Sequence, residues 1–83
     1  MQYFIYILCS SKLDKYYIGS TSDLDDRLKK HNRNHKGYTA TGKPWVLVYS
    51  EEYESKSEAL LRERKLKAWK NRERLESLIK KEA

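Results

Sequence analysis

Cysteine is nearly absent from this 83-residue chain, and Cys9 stands alone. No intramolecular disulfide can form, and no cysteine cluster can hold zinc. Cys9 falls at a strand end among apolar neighbours and reads as inert. Proline is as scarce, with Pro44 its single occurrence. Long apolar runs are missing too. The opening MQYFIYILC follows no basic start, precedes no small-residue cleavage site and is too short to span a bilayer. It reads as a buried strand of a cytoplasmic protein with no membrane partner. Repeats, linkers and low-complexity segments are absent, and the length suits one domain over residues 1–83 rather than two cores. Hydrophobic residues make up 39% and charged residues 36%, so a small core under a polar surface is expected rather than disorder. Phenylalanine is the scarce aromatic: one Phe stands against seven Tyr. A core that needed only bulk would be free to use Phe, so some phenol hydroxyls are expected to have polar tasks.

Acidic residues are missing where basic ones gather. The chain carries a formal charge of +6. From Arg27 to Lys43 there are six basic residues (Arg27, Lys29, Lys30, Arg33, Lys36, Lys43) and no acidic one. From Arg62 to Arg74, seven basic residues face only Glu63 and Glu73. Interleaved with Tyr38, Trp45 and Trp69, these segments suit a polyanion with stackable bases, which means nucleic acid. The plainer alternative is that Lys and Arg solvate helix faces. An acidic membrane surface is disfavoured, because no helix carries a large exposed apolar stripe.

The pattern along the chain predicts order β-β-α-β-α-α. Tyr3 to Cys9 and Tyr16 to Ser20 are rich in aromatic and β-branched residues and form a hairpin across the polar stretch Ser10 to Lys15. Gly19 near its end allows a close approach that a side chain would obstruct. Ser22, with Asp25 three positions on, is expected to cap a helix running to His31 or Asn32, with Leu24 and Leu28 buried. Arg27 and His31, four residues apart, lie beside that stripe. Asn32 to Pro44 is a loop, and Trp45 to Tyr49 a third, buried strand. Ser55 to Glu58 forms a capping box opening a second helix, with Ala59, Leu60 and Leu66 inward. Glu63 falls within that apolar stripe, where a carboxylate must be paired, protonated or bound to a cation. A third helix begins near Trp69 or Asn71 and ends near Lys81, with Leu75, Leu78 and Ile79 inward. The fold class is α+β: a three-stranded antiparallel sheet flanked by helices.

Two apparent motifs fail. Gly37-x-x-x-x-Gly42-Lys43 resembles a P-loop, but Pro44 replaces the metal-binding Ser or Thr, and the flanking elements come in the wrong order. His31 and His35 have zinc-helix spacing without a third ligand. The informative set is Tyr6, Tyr17, Arg27, His31 and Glu63. It offers proton-transfer groups, a cation for developing phosphorane charge, and one hard-metal ligand. Two bland alternatives stay open: the tyrosines fill the core with hydroxyls at its rim, or Glu63 pairs with Lys67.

Phe4-Ile5-Tyr6, ten residues, then Tyr17-Ile18-Gly19 resembles the signature of the GIY-YIG endonucleases. Leu24-x-x-Arg27-x-x-x-His31, Tyr38-Thr39, Pro44-Trp45-x-Leu47-Val48-Tyr49 and Ala59-x-x-x-Glu63-x-x-x-Lys67 continue the likeness in order, over about residues 3 to 81. It is nearest to small stand-alone bacterial members, related to the nuclease domain of the excision-repair incision subunit. The resemblance implies a DNA endonuclease or nickase dependent on one Mg²⁺ or Mn²⁺ ion. Tyr6 or Tyr17 would help activate water, Arg27 would stabilise the transition state, His31 would assist proton transfer or position a phosphate, and Glu63 would hold the metal. A Tyr acting as base, with an ordinary pKa near ~10, needs a neighbouring cation or an alkaline medium, and Arg27 or the metal is expected to supply that help. Lys29, Lys30, Arg33, Lys36, Tyr38, Lys43 and Lys67 are the expected DNA contacts. Phe4 stands where the family has Gly, and Ser20 where some relatives have Lys. Asn71 is the candidate for a late family Asn. With no further DNA-recognition domain, cutting is expected to follow DNA structure rather than sequence, with a repair or recombination protein as a further partner. The alternative is an inactive nucleic-acid-binding module or an adaptor in DNA repair.

Overall fold

The computed structural model describes residues 2–32 and 41–82. The observed order is β1 (Tyr3–Ser10), β2 (Lys15–Thr21), α1 (Leu24–Asn32), β3 (Val46–Tyr53), α2 (Lys56–Trp69) and α3 (Arg72–Glu82). The strands form one antiparallel sheet in the order β2-β1-β3. The central strand, β1, is the most apolar, because only a strand with neighbours on both edges and helices on both faces excludes water from successive residues. Ile5, Tyr6, Ile7 and Leu8 are all buried.

Alternation along β1 divides these residues between two cores. Ile5 and Ile7 join Tyr49, Ala59, Leu66 and Leu75, under α2 and α3. Tyr6 and Leu8 join Trp45, with Leu24 and Leu28 of α1 packed against them. Burying one Ile or Leu side chain is worth about 1.5 to 3 kcal/mol, so both faces depend heavily on β1.

The third strand departs from the simple reading. Trp45, Leu47 and Tyr49 alternate, so an unbroken strand would place all three on one face. Instead the register shifts between Ile7, which faces Tyr49, and Leu8, which faces Leu47, leaving Val48 without an opposite residue. That irregularity sends Tyr49 into the α2/α3 core and Trp45 under the tyrosines of the other face. β3 is also an edge strand, longer than Trp45 to Tyr49, with Val46 and Leu47 exposed rather than buried.

Capping explains where the helices begin. Asp23, not Ser22, caps α1: its Oδ1 accepts from the Asp26 amide at 3.0 Å. Thr21 Oγ1 in turn accepts from the Asp23 amide at 3.1 Å, which turns the chain out of β2. Ser55 Oγ accepts from the Glu58 amide at 3.2 Å and opens α2. Asn71 Oδ1 accepts from the Arg74 amide at 3.1 Å, so Asn71 starts α3 as a cap. Leu60 is 40% exposed, so the inward stripe of α2 narrows to Ala59, Glu63 and Leu66. Asn32 ends α1, one of the two ends expected for it. Its side chain clasps the Trp45 backbone, donating to the carbonyl at 3.0 Å and accepting from the amide at 2.6 Å. No helix among the described residues is long and apolar enough to cross a membrane.

Candidate active site

Tyr6 is opposite Gly19 in the hairpin register, and Tyr17 is opposite Leu8, so both phenols project from the α1 face of the sheet. Tyr6 lies directly over Gly19. A Cβ built on Gly19 would stand 2.5 Å from the Tyr6 Oη and 2.6 Å from Cζ, well inside contact distance. The glycine is therefore the floor on which the phenol rests. This is the close approach expected at Gly19, now with its partner named.

His31, in the last turn of α1, closes the cluster from above. It is buried, and its Nε2 is hydrogen-bonded to the Tyr6 hydroxyl at 3.0 Å. Its ring centroid lies 4.8 Å from that of Tyr17 and 5.9 Å from that of Tyr6, edge-on in both cases. The two phenols are 6.4 Å apart, and Trp45 packs edge-on against Tyr17 at 6.1 Å. Two aromatic hydroxyls and an imidazole thus meet in one cluster rather than being scattered through the core.

Burial pushes the Tyr6 phenol well above its usual pKa, and the neighbouring Tyr17 and Glu63 reinforce the rise while Arg27 opposes it. The Tyr6 hydroxyl therefore stays protonated at neutral pH and can donate to a neutral His31. Its electrostatic surroundings include both Arg27 and Glu63, which approach from helices on opposite faces of the sheet. A small cleft of ≈ 190 Å³ at the end of β2 is lined by Arg27, Ser20 and Thr21 together with Lys56 and Ala59 of α2. Lys56 brings a second cation to that cleft. It was not singled out in the sequence because its only local signal is a place in the first turn of a helix.

Glu63 sits one turn beyond Ala59 and is only 17% exposed. Its Oε2 accepts from the Lys67 ammonium at 2.7 Å. The carboxylate thus already holds a cation. A single carboxylate suits an ion that keeps most of its ligands as water, the habit of Mg²⁺, and the described residues contain no group of three or more His, Cys, Asp or Glu placed to share a metal.

The expected DNA contacts separate. Lys29 is exposed on α1, and Lys30 is exposed but paired with Asp26 at 3.1 Å. Lys43 is half-buried, and Lys67 is bound to Glu63. Arg33, Lys36 and Tyr38, with His35 and Gly37, lie outside the described residues. Gly42, the other P-loop glycine, packs on Trp45 and Leu13, and its carbonyl accepts from Ser10 Oγ at 2.6 Å. Two of the expected stacking aromatics are already occupied: Trp45 is buried in the core, and Trp69 is covered by Arg74 at 4.1 Å and Arg62 at 5.7 Å.

The GIY-YIG catalytic domain family matches residues 2–77. The UPF0213 proteins of Staphylococcus aureus strains Mu3 / ATCC 700698 and Mu50 / ATCC 700699 are each 42% identical over 75 residues, which is 88% of this chain and 89% of theirs. The solution NMR structure of the UPF0213 protein BH0048 from Bacillus halodurans superposes with a TM-score of 0.59 at 32% identity, covering 96% of this chain and 84% of that one. Phenols on a hairpin, an Arg and a His on the following helix, and a carboxylate on the next helix thus coincide with a match across most of the sequence, and the chain belongs to the GIY-YIG catalytic domain family, a nuclease family.

Proposed function

We propose that this protein is a metal-dependent DNA endonuclease or nickase acting on branched, flexible or damaged DNA. The observation that carries the proposal is the meeting of Tyr6, Tyr17 and His31 in one cluster whose surroundings include Arg27 and Glu63. Those groups match what phosphodiester hydrolysis requires: a water must lose a proton, and extra negative charge must be held as the phosphorus is attacked.

The two tyrosines take different parts in this reading. Tyr6 is buried and engaged with His31, which suits positioning. Tyr17 is only half-buried and lines the groove that runs along β2, so it is the phenol that helps activate the attacking water. His31 orders both rings and moves the proton onward. Arg27 neutralises the growing charge on the phosphate. One Mg²⁺ or Mn²⁺ ion held by Glu63 would supply Lewis-acid stabilisation of that charge. Lys67 would leave Glu63 for a phosphate when the ion binds. DNA is the partner, and service to a repair or recombination protein in the cytoplasm belongs to the same proposal.

The Lys67–Glu63 pair also favours a second reading, in which the carboxylate is satisfied by lysine and the chain is a DNA-binding module or adaptor. Incubating branched and supercoiled DNA with Mg²⁺ or Mn²⁺ separates the two. Wild type is expected to cut and Glu63→Ala to lose about hundredfold or more of the rate. Binding without cutting by both proteins would establish the binding module, and cutting unaffected by Glu63→Ala would remove the metal assignment.

A further inference from the structure

An open groove of ≈ 720 Å³ runs along the outer edge of β2, between that strand and the junction of α2 and α3. It lies on the other face of the sheet from the tyrosine cluster, and Tyr17 of the edge strand and Lys67, the partner of Glu63, stand on its border with the candidate site. Its floor is apolar, with Tyr16, Ile18, Leu66 and Leu75 of the α2/α3 face, and its rim is basic, with Lys15, Lys67 and Lys70. Arg72 and Asp14 close one end as an ion pair at 2.6 Å. Among the described residues, Lys15 and Lys70 make no ion pair, so their charge faces outward uncompensated.

The backbone is unusual at this place. Two non-glycine residues in the described chain have positive φ, Asp14 at 54° and Lys70 at 47°, and both line this groove. Asp tolerates the left-handed region through its short polar side chain. Lys has no such relief, and the end of a helix in this conformation is ordinarily a glycine position. Strained backbone tends to gather at functional sites. A lysine where glycine would be easier implies a use for its ammonium.

We propose that the groove binds an unpaired DNA strand flanking the phosphate to be cut. This rests on the hydrolytic site being where the preceding section places it. A duplex carries its phosphates outside and its bases stacked within, so it would engage the basic rim and leave the apolar floor uncovered. An unpaired strand offers phosphates to the rim and base faces to the floor at once. Because Tyr17 sits on the edge strand that separates the two places, a strand leaving the groove around that edge brings its next phosphate to the tyrosine cluster. Preference for branched DNA then follows from the shape of the β2 edge.

Lys70→Gly is the decisive variant, because it removes the ammonium while placing a residue suited to φ 47° at the helix end. Its melting temperature should stay level or rise. With EDTA present to prevent cutting, binding to a short labelled oligothymidylate and to a forked duplex should weaken several-fold, and the logarithmic salt slope on the single strand should fall by about 0.7. Binding to a blunt duplex should not change. Lys15→Ala should behave in the same way without the backbone effect. Equal losses on strand and duplex would overturn the proposal by making these lysines ordinary surface charge, and unchanged strand binding would overturn it outright. A wild type that prefers unpaired DNA but cuts nothing keeps the groove and removes the hydrolytic reading. A wild type that cuts while both variants bind strand normally does the reverse.

Discussion

Five of the seven tyrosines have individual explanations at the residue level. Tyr6 and Tyr17 form the cluster with His31. Tyr16 donates to Glu76 at 3.0 Å, and Tyr53 to Glu51 at 2.6 Å, where Tyr49 also donates. The excess of Tyr over Phe therefore reflects structural hydrogen bonds as well as site chemistry. Gly19 is the residue on which Tyr6 depends most. Gly19→Ala should force the phenol off its floor, lowering stability by about 1 to 3 kcal/mol and breaking its contact with His31. Urea unfolding measures the first effect, and loss of DNA cleavage the second. An alanine variant as stable and active as wild type would show that Tyr6 has room to move.

Within the elements, the basic segment from Arg62 to Arg74 is less free than its sequence implies. Arg62 is held by Glu51, Lys67 by Glu63 and Arg72 by Asp14 and Glu76, while Arg74 lies over Trp69. Arg64, Lys65 and Lys70 have no such partner among the described residues. Periodicity along one helix could not show this, because each partner except Glu63 and Glu76 comes from another element. Asn71 resolves in the same way. It was a candidate for a family Asn, and the structure gives it the N-cap of α3. Asn71→Ala should cost about 0.5 to 2 kcal/mol in thermal or urea unfolding, the usual loss of a cap. Cleavage measured well below the melting transition should be unchanged. A stable variant that cuts poorly would instead give Asn71 a part in the reaction.

Across the whole molecule, the Glu51 network ties β3 to α2. Arg62 donates twice to this carboxylate, Nε at 2.9 Å and Nη2 at 3.1 Å, alongside the two tyrosines. Burial raises the Glu51 pKa, but the hydrogen bonds from Arg62, Tyr49 and Tyr53 together outweigh it, so the net shift is downward. Burial and the neighbouring Glu51 push Tyr53 the other way, up to about 12. A depressed carboxylate pKa adds stability that is complete above its unfolded value, near ~4.3 for Glu, and is lost as pH falls through the folded value. Glu51→Gln should therefore lower stability by about 1 to 3 kcal/mol at neutral pH, with the gap from wild type closing in acid. Urea midpoints measured from neutral pH down to pH ~3 would show this. A gap that stays constant with pH would mean that the charge on Glu51 is irrelevant.

The element order, the hairpin, the starts of α2 and α3 and the family were all legible in the residues, because each rests on local signals: alternation, caps and a motif at fixed spacing. Local signals also misplaced some residues. Ser22 and Asp23 are both good caps, and only the path of the chain out of β2 selects Asp23. Leu60 is apolar by type and exposed by position, because a three-stranded sheet receives only a narrow face of α2. The register shift opposite Ile7 and Leu8 was invisible, since nothing in Trp45 to Tyr49 states that Val48 will lack a partner, yet it decides which core receives Trp45. Composition and spacing by themselves determined which groups are available: two phenols, an imidazole, a guanidinium and a carboxylate. Tertiary structure alone decided that the two phenols and His31 meet, that the charges of Arg27 and Glu63 act on Tyr6 from helices on opposite faces of the sheet, and that the edge of β2 opens as a groove. Contacts between residues far apart in sequence depend on packing against third elements, and no single segment encodes that packing.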